Sequence, residues 1–198
     1  MSHYYQNDPN LKVDLREITY DFRGEKLKLI SDSGVFSKNR IDFGTNLLLN
    51  SLPNLDDQLV LDVGCGYGII GIAIAKKYKN AQVELIDVNT KAIDLTKENI
   101  LLNKLTNAIA YPSNVYENVN KMYDAIVTNP PIRAGKEVVH KIVLGSRNYL
   151  NAKGAIYLVI RKQQGALSLL KEMEKIFAKV EILEKKNGYF IFKGLKES

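Results

Sequence analysis

From residue 59 onward, short apolar runs alternate with longer segments of helical periodicity, and few folds satisfy that rhythm. The runs fall at residues 59–63, 82–86, 108–111, 123–128 and 155–160, and helical segments at 69–78, 90–103, 136–150 and 164–177. Strands joined through helices need crossover connections, which build a parallel sheet covered on both faces. The rhythm breaks at the end. Residues 180–183 and 189–192 are strand-like runs separated by Glu184-Lys185-Lys186-Asn187-Gly188, with no room for a helix. Asn-Gly is a strong hairpin signal, so the last strand is expected to be antiparallel. The expected fold class is α/β, a doubly wound, mostly parallel seven-stranded sheet with an antiparallel C-terminal hairpin strand and a small N-terminal extension.

Residues 1–54 are read as that extension and 55–198 as the core. Leu27, Leu29 and Ser31 alternate with Lys26, Lys28 and Ile30, which suggests a hairpin turning near Arg23-Gly24-Glu25. A helix is expected over 41–51, with Asp42 as its cap and Pro53 preventing its continuation.

The first core strand runs into Asp62-Val63-Gly64-Cys65-Gly66-Tyr67-Gly68, an apolar run broken by alternating glycines before a helical pattern resumes. Such a strand–loop–helix turn lets a ligand approach bare backbone and aims helix N-terminal amides at it. The dinucleotide fingerprint is G-x-G-x-x-G with an acid about 20 residues on. Here the third glycine comes one residue early, and Asp62 precedes the first by two. Asp87 ends the second strand, where a carboxylate can accept from ribose hydroxyls. A carboxylate at 62 sits poorly against a pyrophosphate and suits a cationic ligand such as the amino group or sulfonium of S-adenosylmethionine. The plain alternative is that Asp62 caps a helix or turn and the glycines only make the loop tight.

The strand at 123–128 ends in Asn129-Pro130-Pro131-Ile132. Two prolines stiffen the chain and donate no hydrogen bonds, so Asn129 is expected on a rigid support at the sheet's carboxyl edge. The alternative is a turn that only ends the strand. A planar exocyclic amine is a poor nucleophile, because its lone pair is delocalised. The Asn129 side-chain oxygen and the Pro130 carbonyl can hold its two N–H groups, aim the lone pair at a methyl group and stabilise charge forming on nitrogen.

The glycine motif resembles that of class I S-adenosylmethionine-dependent methyltransferases. Asn-Pro-Pro resembles the motif of members that methylate adenine, the guanine 2-amino group or a glutamine amide. Gly34-Val35-Phe36-Ser37-Lys38, Ile41-Asp42-Phe43-Gly44-Thr45, Ser113-Asn114 and Asn129-Pro130-Pro131-Ile132-Arg133-Ala134-Gly135-Lys136 extend the likeness to the "methyltransferase small domain" group. That group includes bacterial 16S ribosomal RNA guanine-N2 methyltransferases, and the likeness runs from about residue 25 onward. It implies a Rossmann-like fold and S-adenosylmethionine as cofactor. The cofactor would be bound by Phe36, Thr45, Asp62, Gly64, Cys65, Gly66, Gly68, Asp87, Val88, Ser113, Asn114 and Asn129. Asn129, Pro130 and Pro131 would form the catalytic turn. Ile132 stands where many relatives place an aromatic residue, so Tyr67, Phe36 or Tyr111 would have to supply a ring for the target base. Ile132, Arg133, Lys136, Arg161 and Lys162 are the expected RNA contacts. Some members carry two related domains, and this chain is long enough only for the catalytic one.

Composition narrows the setting. A net charge of +6 and a pI near 9.2 accord with an RNA partner, although lysines solvating helix faces produce the same excess. One cysteine excludes an internal disulfide framework and suits a reducing cytosol, so a cytoplasmic location is expected. Two histidines and that cysteine make no visible zinc cluster, and no metal is expected. No run of residues suits a membrane span, and residues 1–10 lack a signal peptide's apolar core. The expected activity is methylation of an exocyclic amine, most readily guanine N2 of 16S ribosomal RNA. The rival readings are methylation of a protein glutamine amide and a non-catalytic RNA-binding module.

Overall fold

Alternating burial along β1 (Leu15–Phe22) turns Ile18 and Phe22 inward, and β2 (Glu25–Asp32) answers with Leu27 and Leu29. The strands pair antiparallel through a two-residue turn at Arg23 and Gly24, both with positive φ. That geometry matches the right-handed twist of the flanking strands. The structure, a computed structural model, describes residues 15–32 and 41–197. Phe36 and the loop around it lie outside those residues. α1 (Phe43–Ser51) starts at Asp42, whose carboxylate accepts from the Thr45 amide at 3.0 Å.

The core continues as β3 (Leu59–Val63), α2 (Ile69–Lys77), β4 (Gln82–Asp87), α3 (Thr90–Leu102), β5 (Ala108–Pro112) and β6 (Tyr123–Thr128). It ends with α4 (Lys136–Gly145), β7 (Leu150–Arg161), α5 (Ala166–Glu174), β8 (Lys179–Lys186) and β9 (Tyr189–Leu195). Seven strands form one sheet in the order β5-β4-β3-β6-β7-β9-β8. Pairs from β5 to β7 are parallel, and β9 runs antiparallel to both β7 and β8. This is the expected Rossmann-like sheet with its antiparallel last strand. Successive residues of each strand feed opposite faces. Val60, Val83 and Val127 pack under α1, α2, α3 and the β1–β2 hairpin, whereas Leu61, Ile86 and Ile126 pack under α4 and α5.

Element boundaries differ from the expected ones where side chains compete with the backbone ladder. The helix expected over 136–150 stops at Gly145 and tightens into a 3-10 turn over Ser146–Tyr149. Ser146 Oγ donates back to the Val143 carbonyl at 2.7 Å there. β7 begins at Leu150, five residues before its expected start, because Leu150 pairs with Tyr123 before the register slips to Ala125–Ala155. α5 is shorter than expected and comes after a 3-10 turn over Lys162–Gln164. Glu184, Lys185 and Lys186, expected in a loop, belong to the edge strand β8, where charge discourages pairing with another sheet. The hairpin turn is Asn187-Gly188 alone, both with positive φ.

The N-terminal hairpin is tied to the core by two amides, Asn99 on α3 and Asn103 at its C-terminal cap. Asn99 accepts from the Ile30 amide at 2.7 Å and donates to the Ile30 carbonyl at 2.8 Å. Asn103 repeats this with Lys28 at 3.2 and 2.7 Å. The pair lies one helical turn apart and answers alternate residues of an edge strand as a neighbouring strand would. Among the described residues no helix is long and apolar enough to cross a membrane.

Candidate active site

β3 lies between β4 and β6, so the order of connection reverses beside it, and sheets of this kind open a crevice at their carboxyl edge at that reversal. Register decides which residues reach it. Asp62 pairs with Leu85 on one side and with Val127 on the other. Two residues beyond these positions stand Gly64, Asp87 and Asn129, one from each strand. Three stretches far apart in sequence therefore end at one level.

The glycine loop is held by its neighbours. The Gly64 and Cys65 amides donate to the Ile86 carbonyl at 2.9 and 3.0 Å, and the Gly66 amide donates to Asp87 Oδ2 at 2.9 Å. Gly64, Gly66 and Gly68 have φ of 72°, 58° and 91°, which side chains disfavour. A Cβ on Gly64 would lie 3.6 Å from Pro131 Cδ, so the glycine loop and the Asn-Pro-Pro turn pack against each other. Cys65 is buried, with Sγ 3.8 Å from Thr96 Oγ1. Burial, together with the Asp62 and Asp87 charges, pushes its thiol well up, and its side chain packs behind the loop. Thr96, from α3, donates to the Gly66 carbonyl at 2.8 Å and pins the loop from behind.

Asp62 is fully buried. Its Oδ2 accepts from the Gly71 amide at 2.8 Å, whereas Oδ1 is a buried oxygen with no partner among the described residues. Burial pushes the carboxyl up to about 7, against the Gly71 bond, and the nearby Asp87 charge pushes the same way. An unpartnered buried carboxylate oxygen is costly, and a cation within reach relieves it. An unpartnered carboxylate acceptor suits the cationic end of S-adenosylmethionine and does not suit a phosphate. Gly71 has a second task. A Cβ there would meet Leu85 Cδ2 at 2.4 Å, so its absence lets α2 lie close on β4.

Asn129 Nδ2 donates to Thr45 Oγ1 at 2.9 Å across 84 residues of sequence. That bond occupies one of the two amide N–H donors and fixes the orientation of the amide, leaving Oδ1 with no partner among the described residues. The Pro130 carbonyl likewise has no donor among them, while the Pro131 carbonyl accepts from the Ala134 amide at 2.9 Å. The family resemblance places Thr45 at the methionine end of a cofactor. Its hydroxyl is buried at the wall of that crevice but sets the orientation of Asn129.

The crevice has two lobes sharing Gly64 and Pro131. One is lined by Asp42, Thr45, Cys65, Gly66, Tyr67 and Asn129, and the other by Asp87, Val88, Ser113, Asn114, Val138 and Ile142. Asp87 accepts the Gly66 amide on one oxygen and the Asn89 amide on the other, at 2.9 Å each. Ser113 spends its hydroxyl on the Val115 carbonyl and the Asn118 amide, and Asn114 reaches Glu117 at 2.7 Å.

Ile132 opens a 3-10 turn and packs on the core. Of the rings expected to replace an aromatic there, Tyr111 spends its hydroxyl on Glu84 at 2.7 Å, and Tyr67 is buried in the wall of the first lobe. Arg133 and Lys136 are exposed and follow the Asn-Pro-Pro turn in sequence, and neither lines either lobe. Arg161 and Lys162 do not line either lobe. They line a separate open groove with Phe43, Asn187 and Tyr189. The sequence does not single out the supporting residues Gly71, Thr96 and Tyr189, and Phe43 stands in it only as part of the Ile41–Thr45 string. Thr96 leaves a trace, as a hydroxyl within the apolar stripe Ala92, Ile93 and Ile100 of α3.

Known proteins share this arrangement of strands and loops. The model of the methyltransferase small domain family matches residues 26–193. The chain is 42% identical over 198 residues to the uncharacterised protein YbxB of Bacillus subtilis (strain 168), covering 98% of each. It is 31% identical over 189 residues to ribosomal RNA small subunit methyltransferase C of Colwellia psychrerythraea (strain 34H), covering 93% of this chain and 52% of that protein. It also resembles the structure of T. thermophilus 16S rRNA N2 G1207 methyltransferase (RsmC) in complex with AdoMet and guanosine. The TM-score is 0.84 at 25% identity, over 97% of this chain and 53% of that one. The chain thus spans about half the length of the ribosomal RNA methyltransferases it matches.

Proposed function

Because the chain belongs to the methyltransferase small domain family, we propose that it methylates the exocyclic N2 amine of a guanine in 16S ribosomal RNA. The single observation that carries this reading is Asn129, turned by Thr45 so that its Oδ1 and the neighbouring Pro130 carbonyl are both acceptors without donors among the described residues. Two acceptors on a stiff support suit the two N–H groups of a planar amine.

S-adenosylmethionine, when bound, supplies an electrophilic methyl group. The unpartnered Asp62 oxygen would balance the cofactor's positive charge, Asp87 would accept from its ribose, and Val88, Ser113 and Asn114 would wall its adenine. Asn129 and Pro130 hold the target N–H groups, aim the lone pair and stabilise the positive charge that develops on nitrogen. The proton leaves to solvent after transfer, so no strong base is required. Guanine N2 is favoured over other amines by the activity for which the T. thermophilus relative is named and by the guanosine in its complex. The excess of six positive charges suits a polyanion in the cytoplasm. A duplex hides the amine, so the target nucleotide is unpaired or flipped.

The test is transfer of a labelled methyl group to total RNA, small ribosomal subunits and protein from cells lacking this chain, with nucleoside analysis of the product. Labelled N2-methylguanosine is expected. Label in a glutamine side chain, or in no RNA, overturns the proposal.

A further inference from the structure

Beside the methyl-transfer crevice lies a second, open groove that neither the Asn-Pro-Pro turn nor the glycine loop explains. It is lined by Phe43, Arg161, Lys162, Gln163, Asn187, Gly188 and Tyr189, none of them acidic. Register builds it. Arg161 at the carboxyl end of β7 pairs directly with Tyr189 at the start of β9, and the Arg161 guanidinium lies 4.6 Å over the Tyr189 ring and bonds its hydroxyl. Phe43 opens α1 and stays 36% exposed, with its ring centroid 5.4 Å from that of Tyr189 at a tilt of 46°.

The ring position is built into the fold. A Cβ on Gly44 would fall 2.7 Å from Tyr189 Cε1 and 3.1 Å from Asp42 Oδ1. The same turn of α1 therefore touches both sites. Asp42 and Thr45 face the crevice that holds Asn129, and Phe43, between them in sequence, faces the groove. Among the described residues no carboxylate pairs with Arg161 or Lys162. Partly exposed rings beside an arginine, with a second cation and, among the described residues, no acid paired to either, match what a single-stranded nucleotide needs, a π-face for its base and cations for its phosphate. A core-packing role does not account for the exposure of Phe43 or for a lysine that no carboxylate among the described residues pairs with.

We propose that the Phe43–Tyr189–Arg161–Lys162 groove binds an unpaired nucleotide flanking the target, stacking its base on the aromatic pair and holding its phosphate. This rests on the RNA reading of the neighbouring site and adds a reason for preferring single-stranded RNA. The test is binding of a fluorescent mixed-sequence single-stranded oligoribonucleotide to the full chain, read by anisotropy, with S-adenosylmethionine affinity as the control for folding.

Wild type is expected to bind the single strand more tightly than the same sequence in a duplex. Tyr189→Ala and Phe43→Ala are expected to weaken the single strand about tenfold each and to leave duplex affinity within about twofold, the range that loss of one stacking contact predicts. Tyr189→Phe keeps the ring and is expected to retain most of the affinity. Cofactor affinity in all three variants should match wild type. Single-strand affinity unchanged in both alanine variants overturns the groove while leaving the methyltransferase reading in place. A wild type that neither binds nor methylates RNA overturns both.

Discussion

Asn129 owes its chemistry to a residue the sequence places 84 positions away. With its amide nitrogen tied to Thr45, the oxygen is the side that, on the proposed reading, would meet a substrate amine. Asn129→Ala is expected to leave cofactor affinity within a factor of about three and to lower kcat about 100- to 1000-fold, the range for losing one positioned group at a developing charge. Isothermal titration and single-turnover transfer check the two halves. Thr45→Val frees the amide to rotate and should lower kcat more than it alters KM. Asp62 makes a prediction about pH. Its folded value of about 7 lies above the ordinary 3.8, so the folded chain holds this proton more tightly than the unfolded chain. Its stabilising contribution is thus fully present below pH 4 and is lost as pH rises to about 7. Asp62→Asn abolishes that loss. The cofactor-free variant should melt at least about 2 °C above wild type at pH 8, the shift that roughly 1 kcal/mol produces in a domain of this size, while binding cofactor at least about tenfold more weakly. A cationic ligand drives the proton off Asp62. Cofactor binding at about pH 6 should therefore release up to one proton, with the release falling away as pH rises past about 7, read from the dependence of titration heat on buffer.

Elements here are joined by side chains that stand in for backbone. α3 holds β2 through Asn99 and Asn103, which take up N–H and C=O groups of Ile30 and Lys28 that an edge strand would otherwise leave open. The Asn99 amide also donates to the Tyr67 carbonyl at 2.9 Å, so the hairpin and the glycine loop share one anchor. Asn99→Ala should cost about 1–3 kcal/mol in urea unfolding, the penalty of leaving such groups unpaired. Amide exchange at Lys28 and Ile30 should rise at least about tenfold, with strand β3 little affected. The hydrophobic pattern announces that α3 is a helix with a buried stripe. It does not announce that two amides in that stripe face the edge of a hairpin, because an asparagine in a helix reads the same whether it meets water or a strand. Helix ends are poorly legible for a related reason. Ser146 and the slipped register before Ala155 settle where α4 ends and β7 begins, and neither is a local propensity.

Across the whole molecule, charge and register act together. Arg133 and Lys136 are exposed just after the Asn-Pro-Pro turn, and Arg161 and Lys162 line the groove beside α1. If all four meet phosphates, replacing them with alanine should lower the slope of log affinity against log salt by about 3 for a single-stranded RNA, measured by anisotropy across a salt series. An unchanged slope would put these cations off the RNA path. The alternation of strands and helices, the antiparallel closing hairpin with its Asn-Gly turn, the glycine loop and the Asn-Pro-Pro turn were all legible in the amino-acid sequence. Each is short-range, written in periodicity, in residues that tolerate positive φ and in prolines that stiffen the chain. The folded chain was needed to show that Gly64, Asp87 and Asn129 stand at one level, that Thr45 orients Asn129, that Asp62 keeps one oxygen without a partner among the described residues, and that Phe43 meets Tyr189. Those facts come from strand order and register, which depend on which faces bury together across the sheet, and no local run of residues encodes a partner that lies on another strand.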